Sequence, residues 1–261
     1  MLRPRIIPFL LIHKGGLVKT KKFCEPKYVG DPINAVRIFN EKEVDEIMVA
    51  DMDATVNGKE PDMELLAKLA AECRMPLCYA GGVKTAEQVE KIVGLGVEKV
   101  GISSAAVETP RLINEAARRV GNQSVVVVLD VKKNGADYEV FCQNGKKGSG
   151  LKPATFARQA QALGAGEIVV NSIDRDGTGE GYDEELVGIV RSSVRLPVTA
   201  LGGAGRVEDF GRLFEKCRTI GVAAGSLFVF KGKYRAVLIT YPSKREKDQL
   251  MLGVKKSKNL I

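Results

Sequence analysis

An internal repeat constrains this chain more than any other feature. Sliding the sequence by 121 positions lays residues 46–82 on 167–203 without a gap, and twelve of the 37 pairs are identical. Among them are Glu46/Glu167, Asp53/Asp174, Gly58/Gly179, Asp62/Asp183, Pro76/Pro197 and the double glycines Gly81-Gly82/Gly202-Gly203. Unrelated sequence would give roughly two matches, so one structural unit occurs twice. At an offset of 120, Gly101-Ile-Ser-Ser is answered by Gly221-Val-Ala-Ala.

Each copy alternates short apolar runs with helical stretches. Ile6–Ile12, Ile47–Ala50, Leu77–Tyr79, Val100–Ile102, Val125–Leu129, Ile168–Val170, Val198–Leu201 and Val222–Ala224 lack polar alternation. Such runs suit parallel strands covered on both faces. Helix starts follow them: Asp31-Pro32, Asp62, and Thr85 with Gln88 in capping-box spacing. Four strands per half, each followed by a helix, predict a (β/α)8 TIM barrel built from two repeated half-barrels, with an open doubly wound sheet as the rival. The expected boundaries are one barrel over 1–230, with halves 1–121 and 122–230, then a C-terminal helix and basic tail over 231–261. Tyr138–Lys146, turning at Asn144-Gly145, reads as a hairpin after the fifth strand.

Composition removes several function classes. The chain has 261 residues, 44% of them hydrophobic and 28% charged, which excludes a disordered or fibrous chain. Its five cysteines include no Cys-x-x-Cys pair, which argues against a disulfide framework or Cys-rich zinc site and fits a reducing cytoplasm. His13 is the single histidine. No cofactor or metal is expected. Asp174-x-Asp176-x-Thr178-Gly179 with Glu185 imitates a calcium loop, but a strand-like run precedes it where a helix is required. No apolar run reaches the ~20 residues of a membrane span. The N-terminal run, interrupted by Pro8, reads as a first strand rather than a signal peptide. The net charge of +8 sits half in the segment Lys244–Lys258, and with 6% aromatics the chain does not suggest nucleic-acid binding.

Barrel active sites gather at the carboxyl ends of the strands. There the sequence places Gly81-Gly82, Ser103-Ser104, Gly202-Gly203-Ala204-Gly205 and Gly225-Ser226. Glycines let backbone N–H groups approach an oxyanion, so the two halves predict two phosphate sites on one mouth. Asp51, Asp53, Asp130, Asp174 and Asp176 crowd the same rim. Asp130, closing the fifth strand, is the candidate general acid or base, with a loop-bonding carboxylate as its bland alternative.

Arg5-Ile-Ile-Pro, Gly81-Gly82, Ser104-Ala-Ala-Val, Lys146-Lys147, Ser172-Ile-Asp-Arg-Asp-Gly-Thr178 and Gly202-Gly-Ala-Gly together resemble the cyclase subunit of imidazole glycerol phosphate synthase, the HisF family. The similarity runs from Met1 to about Phe230. It implies a barrel docked on a HisH-like glutaminase, with ammonia entering the floor and crossing to a bisphosphorylated ribonucleotide. It also implies an ammonia gate at Arg5, Glu46, Lys99 and Glu167, a substrate-responsive Lys19 on the loop after strand one, and phosphate contacts at Gly82, Ser103, Ser104, Asp176, Gly177, Gly203, Gly225 and Ser226. A purely structural ring of charges remains the alternative for the four floor residues.

One family residue is missing. The family pairs Asp130 with an aspartate at the end of strand one, and overlaying Ile6–Leu10 on Val125–Leu129 places that residue at Leu11. Leucine cannot carry a proton. Phe9 and Ser103 also stand where the family shows Cys and Asn, and His13, on the loop beyond, is a poor substitute base. The resemblance therefore leaves three readings. In one, cyclization is impaired and ammonia passes, with a third amidotransferase protein, to a surface-polysaccharide sugar. In the second the chain is a functional lyase of histidine biosynthesis. The third is the sister HisA-like sugar-phosphate isomerase, which would not need the charged floor.

Overall fold

A computed structural model describes residues 4–256. The first half runs through strands β1 (Arg5–His13), β2 (Gly16–Lys21) and β3 (Cys24–Gly30), then α1 (Pro32–Glu41), β4 (Ile47–Asp51), α2 (Met52–Val56) and α3 (Met63–Glu72). It continues with β5 (Leu77–Ala80), α4 (Ala86–Gly94), β6 (Lys99–Ile102), α5 (Ser104–Glu108) and α6 (Arg111–Val120). The second half holds β7 (Val125–Asn134), β8 (Asp137–Cys142), β9 (Lys147–Gly148), α7 (Pro153–Ala162), β10 (Glu167–Ser172) and α8 (Glu184–Ser193). It ends with β11 (Val198–Leu201), α9 (Glu208–Cys217), β12 (Gly221–Ala224), α10 (Ser226–Val229), β13 (Phe230–Lys231), β14 (Ala236–Val237) and α11 (Lys244–Lys256).

Eight strands pair in parallel in the order β10-β11-β12-β1-β4-β5-β6-β7, and β10 returns to β7, so the sheet closes into a (β/α)8 barrel. Strand alternation sorts the side chains. On β1, Ile6, Leu10 and Ile12 join the core under the helices, while Ile7 packs with Met48, Cys78, Val126, Val128, Val169, Leu201 and Ala223 inside the barrel. Helix faces match this outer core. On α6, Leu112, Ile113, Ala116 and Ala117 are buried one turn apart, leaving the arginines outside. Asp31, Asp62 and Thr85 accept backbone N–H bonds as N-caps, and Thr85 with Gln88 forms the capping box that the sequence spacing predicts.

Two expectations change. Strand one is followed by the antiparallel pair β2–β3 before α1, so Lys19 lies in a strand and not on a loop. The hairpin after strand five starts earlier than read: β7 turns at Asn134-Gly135 and pairs with β8, and the Asn144-Gly145 turn joins β8 only to the two-residue β9. Asn134-Gly135 is the stronger turn signal of the two, flanked by the longer pairing strands. Within the segment read as a C-terminal helix and basic tail, α11 lies against α9, with Leu250 beside Gly211. Tyr241 anchors that segment to the floor. Its hydroxyl donates to Ile6 O at 2.8 Å and accepts from Asp45 N at 3.1 Å, while Lys247 Nζ meets Asp45 Oδ1 at 2.7 Å. The end of the basic tail, including Lys258, lies outside the described residues. Among the described residues no helix is long and apolar enough to cross a membrane.

Candidate active site

The four predicted floor residues converge. Arg5 starts β1, Lys99 starts β6 and Glu167 starts β10, with Glu46 one residue before β4. Arg5 Nη2 meets Glu167 Oε1 at 2.7 Å, and Lys99 Nζ lies 2.9 Å from Glu46 Oε1 and 3.0 Å from Glu167 Oε2. Arg5 also pairs with Glu46, and Thr199 Oγ1 donates to Glu167 Oε1 at 2.6 Å. The glutamate side chains are 5% and 7% exposed, so their charges depend on these partners. Burial alone would push the Glu167 carboxyl up, yet the Arg5 and Lys99 cations outweigh it and hold it below the usual carboxylate range. In turn the glutamates outweigh the burial of Lys99 and raise its affinity for a proton. The result is a closed, alternating ring with no net charge.

Above this ring the barrel interior is apolar. A cavity of about 130 Å³, open to solvent at the mouth, reaches down to Met48, Gly101 and Val128. Ile7, Cys78, Val126 and Val169 line neither the large cavity nor the adjoining one, and they form one packed layer between cavity and ring. Gly101 keeps the cavity bottom open: a Cβ there would stand 2.9 Å from Ala80 Cβ.

At the mouth Asp130 is half-buried in the cavity wall. Asn171 Nδ2 donates to its Oδ1 at 2.9 Å and Ser103 Oγ to its Oδ2 at 3.1 Å. Loss of surrounding water pushes the Asp130 carboxyl up to about 6, against those two hydrogen bonds and helped by the nearby charge of Asp176. A general base with that affinity is ionised at neutral pH and still able to hold a proton. Because its folded-state proton affinity is raised, ionised Asp130 opposes folding as pH climbs from 3.8 through 6. Asp130→Asn should therefore stabilise the protein by about 1–2 kcal/mol at pH 8, discounted for partial exposure, with the gain vanishing below pH 3.8. Urea denaturation across that pH range checks it.

Lys19 is buried on β2 at 4% exposure, and its Nζ donates to Phe9 O. Burial lowers its ammonium pKa to about 7, partly countered by Asp176. Asp176 itself ties down the β2–β3 hairpin: Oδ2 accepts from Thr20 Oγ1 at 2.8 Å and from Phe23 N at 3.3 Å.

The predicted phosphate residues fall into two adjoining cavities. Gly82, Ser103 and Ser104 line the first with Asp130, whereas Lys19, Gly177, Gly203, Gly225 and Ser226 line the second, with Phe9, Leu11, Thr20 and Asp176 shared. In strand order β5–β6 and β11–β12 lie on opposite sides of the barrel. Gly82, at φ +70°, has no room for a side chain, since a Cβ would lie 2.8 Å from Ala54 Cβ and Lys59 O. Ser103 spends its hydroxyl proton on Asp130, and Ser104 Oγ accepts from Gln143 N at 2.9 Å. The helices that begin at Ser104 and Ser226 are single short turns, so the dipole expected there is weak.

Leu11 lines both cavities, where the strand-one carboxylate would stand. His13 is the last residue of β1, not a loop residue, and shares the face of Leu11. Its Nδ1 bonds Asp53 Oδ1 at 2.7 Å, Asp53 Oδ2 accepts from Lys14 N at 2.7 Å, and His13 lines neither cavity. Sequence reading missed Asn171, although every second residue of β10 from Glu167 reaches the same inner face.

The chain matches the family model described as histidine biosynthesis protein over residues 5–235. A Vibrio vulnificus protein provisionally named imidazole glycerol phosphate synthase subunit hisF3 is 54% identical over 253 residues, 96% of this chain and 97% of that protein. A Pseudomonas aeruginosa protein provisionally named subunit hisF2 is 52% identical over 95% of this chain and 99% of its own length. Imidazole glycerol phosphate synthase subunit HisF of Alkaliphilus metalliredigens is 40% identical over 87% of this chain and 91% of that protein. The 253-residue match extends past residue 235, so the segment read as lying outside the family similarity is shared with that relative.

Proposed function

This chain belongs to the histidine biosynthesis protein family as a HisF-like synthase subunit, and from that premise we propose that it takes ammonia from a HisH-like glutaminase but is impaired as a cyclase. The glutaminase docks on the floor face. Arg5, Glu46, Lys99 and Glu167 form its gate, admitting a small neutral molecule while the paired charges turn ions away. Ammonia then crosses the apolar interior to the mouth, where Lys19 and the two glycine-rich cradles hold a bisphosphorylated or otherwise phosphorylated ligand. Among the cradle residues, Gly82, Ser104, Gly177, Gly203, Gly225 and Ser226 contact the phosphates, and Ser103 and Asp176 hold the surrounding groups. The complex works in the cytoplasm.

The observation that carries the impaired-cyclase reading is Leu11, which lines both cavities from a strand across the barrel from that of Asp130, itself in the wall of the first. Ring closure needs one group to take a proton and another to give one, and Asp130 without a carboxylate at position 11 supplies half of that pair. Ammonia is accordingly passed onward, through a third amidotransferase protein, to a sugar of a surface polysaccharide. A functional cyclase is the second reading, favoured by the retained Asp130 and both cradles. Giving the purified protein the bisphosphorylated ribonucleotide and ammonium salt separates the two: little or no turnover is expected, and turnover at an ordinary enzymatic rate overturns the impaired reading.

A further inference from the structure

Strand β10 carries three inner-face residues at two-residue spacing: Glu167 in the floor ring, Val169 in the packed apolar layer and Asn171 at the mouth. At ~3.3 Å per residue, floor and mouth are about 13 Å apart along this strand. Asn171 is 4% exposed and pairs with Asp130 in the β7–β10 register. Its Nδ2 is committed to Asp130 Oδ1, which fixes the amide so that Oδ1 is the acceptor end. That Oδ1 is buried and has no hydrogen-bond partner among the described residues. A buried acceptor left unpaired is costly, and such atoms are few in folded proteins, so it calls for a ligand with an N–H or O–H to give.

We propose that Asn171 Oδ1 and the Asp130 carboxylate form a receiving site for neutral ammonia at the top of the apolar interior. This rests on the reading that ammonia traverses the barrel. Ammonia in the layer of Ile7, Cys78, Val126 and Val169 has left its water behind and meets no side-chain carboxylate or amide there. Moving toward the mouth, it reaches the Asn171 and Asp130 oxygens, and its three N–H groups can satisfy both acceptors. Its lone pair is left free to face whatever occupies the cavity. Asn171 is thus a positioning residue that also orients Asp130, and a carboxamide accepts a hydrogen bond without adding a second charge that would favour ammonium.

The test uses ammonium chloride at alkaline pH as the probe, with potassium chloride at equal ionic strength as control. The readouts are the Asn171 side-chain amide and Asp130 carboxyl NMR signals. The wild type should show a saturable shift of both signals with ammonium and none with potassium. Asn171→Leu, similar in volume, should lose the saturable response at Asp130 while its thermal midpoint shows that it is folded. Asn171→Asp keeps an acceptor oxygen and adds a charge that draws ammonium, so it should keep or strengthen the Asp130 response. If Asn171 acts only through its bond to Asp130, the two variants, both lacking that donor, behave alike and the site is overturned. A linear shift, one shared with potassium chloride, or one that survives in Asn171→Leu overturns it as well. Because ammonia is supplied from solution, these failures strike the Asn171 site alone, whereas nucleotide turnover by the wild type strikes the impaired-cyclase reading.

Discussion

Glu167→Leu is expected to lower the unfolding free energy by about 3–5 kcal/mol, the range for removing one partner of a buried charge pair. Glu167 serves Arg5, Lys99 and the Thr199 hydroxyl together, so its loss leaves two cations facing Glu46 alone. The penalty comes mainly from those stranded charges. Glu167→Leu combined with Lys99→Met should therefore recover part of it, because a ring of one cation and one anion is again neutral. Equilibrium denaturation of the single and double variants measures this, and a double variant no better than the sum of its parts would mean that the floor charges act independently. The pH dependence has a definite sign. Glu167 titrates below its unfolded value of 4.5, so its contribution is complete above about pH 4.5 and is lost as pH falls through the lower folded value. Lys99 titrates above 10.5, so its share persists until the solution is more alkaline than that. Wild type and Glu167→Leu should accordingly converge in acid and differ most across the neutral range.

Leu11→Asp should raise cyclization of the bisphosphorylated nucleotide by about 10²-fold or more over the wild type, since a positioned acid or base contributes typically 10²–10⁴-fold. The site has room for the change. Leu11 is half-buried and borders both cavities, with Lys19, Thr20 and Asp176 lining the second cavity beside it. The new carboxylate would not be placed in a dry core, and the stability cost should be small. Its pH–rate profile should rise through about pH 6, where Asp130 becomes ionised. Steady-state rates with ammonium salt provide the measurement. No gain would show that Phe9, which lines both cavities, and Ser103, which donates to Asp130, have altered the site beyond one residue.

Much of this architecture was legible because the barrel is written twice. Parallel strands buried on both faces have no polar alternation to confuse, and matched glycines after β5 and β11 survive as the double pair Gly81-Gly82 and Gly202-Gly203. The floor charges came with the family resemblance, and each stands at or next to the start of its strand. What escaped the reading is non-local. The β2–β3 hairpin is held by Asp176, more than 150 residues away in the chain, through Thr20 and Phe23. No periodicity encodes that bond, and Lys19 was taken for a loop residue as a result. Tyr241 likewise has no local partner, finding its own at Ile6 and Asp45. Asn171 went unnoticed because its chemistry lies in an unused lone pair, which only the packed neighbourhood reveals.

The floor has a genealogy. Its two glutamates, Glu46 and Glu167, are repeat-mates, but the positions that repeat Arg5 and Lys99 hold Ser124 and Thr219. A barrel reassembled from two copies of the second half would bring a pair of anions together with no counterion, and one made from two first halves would carry twice the cations needed. Each half has thus given up its self-sufficiency: the subunit descends from duplication, yet neither portion can any longer stand in for the other.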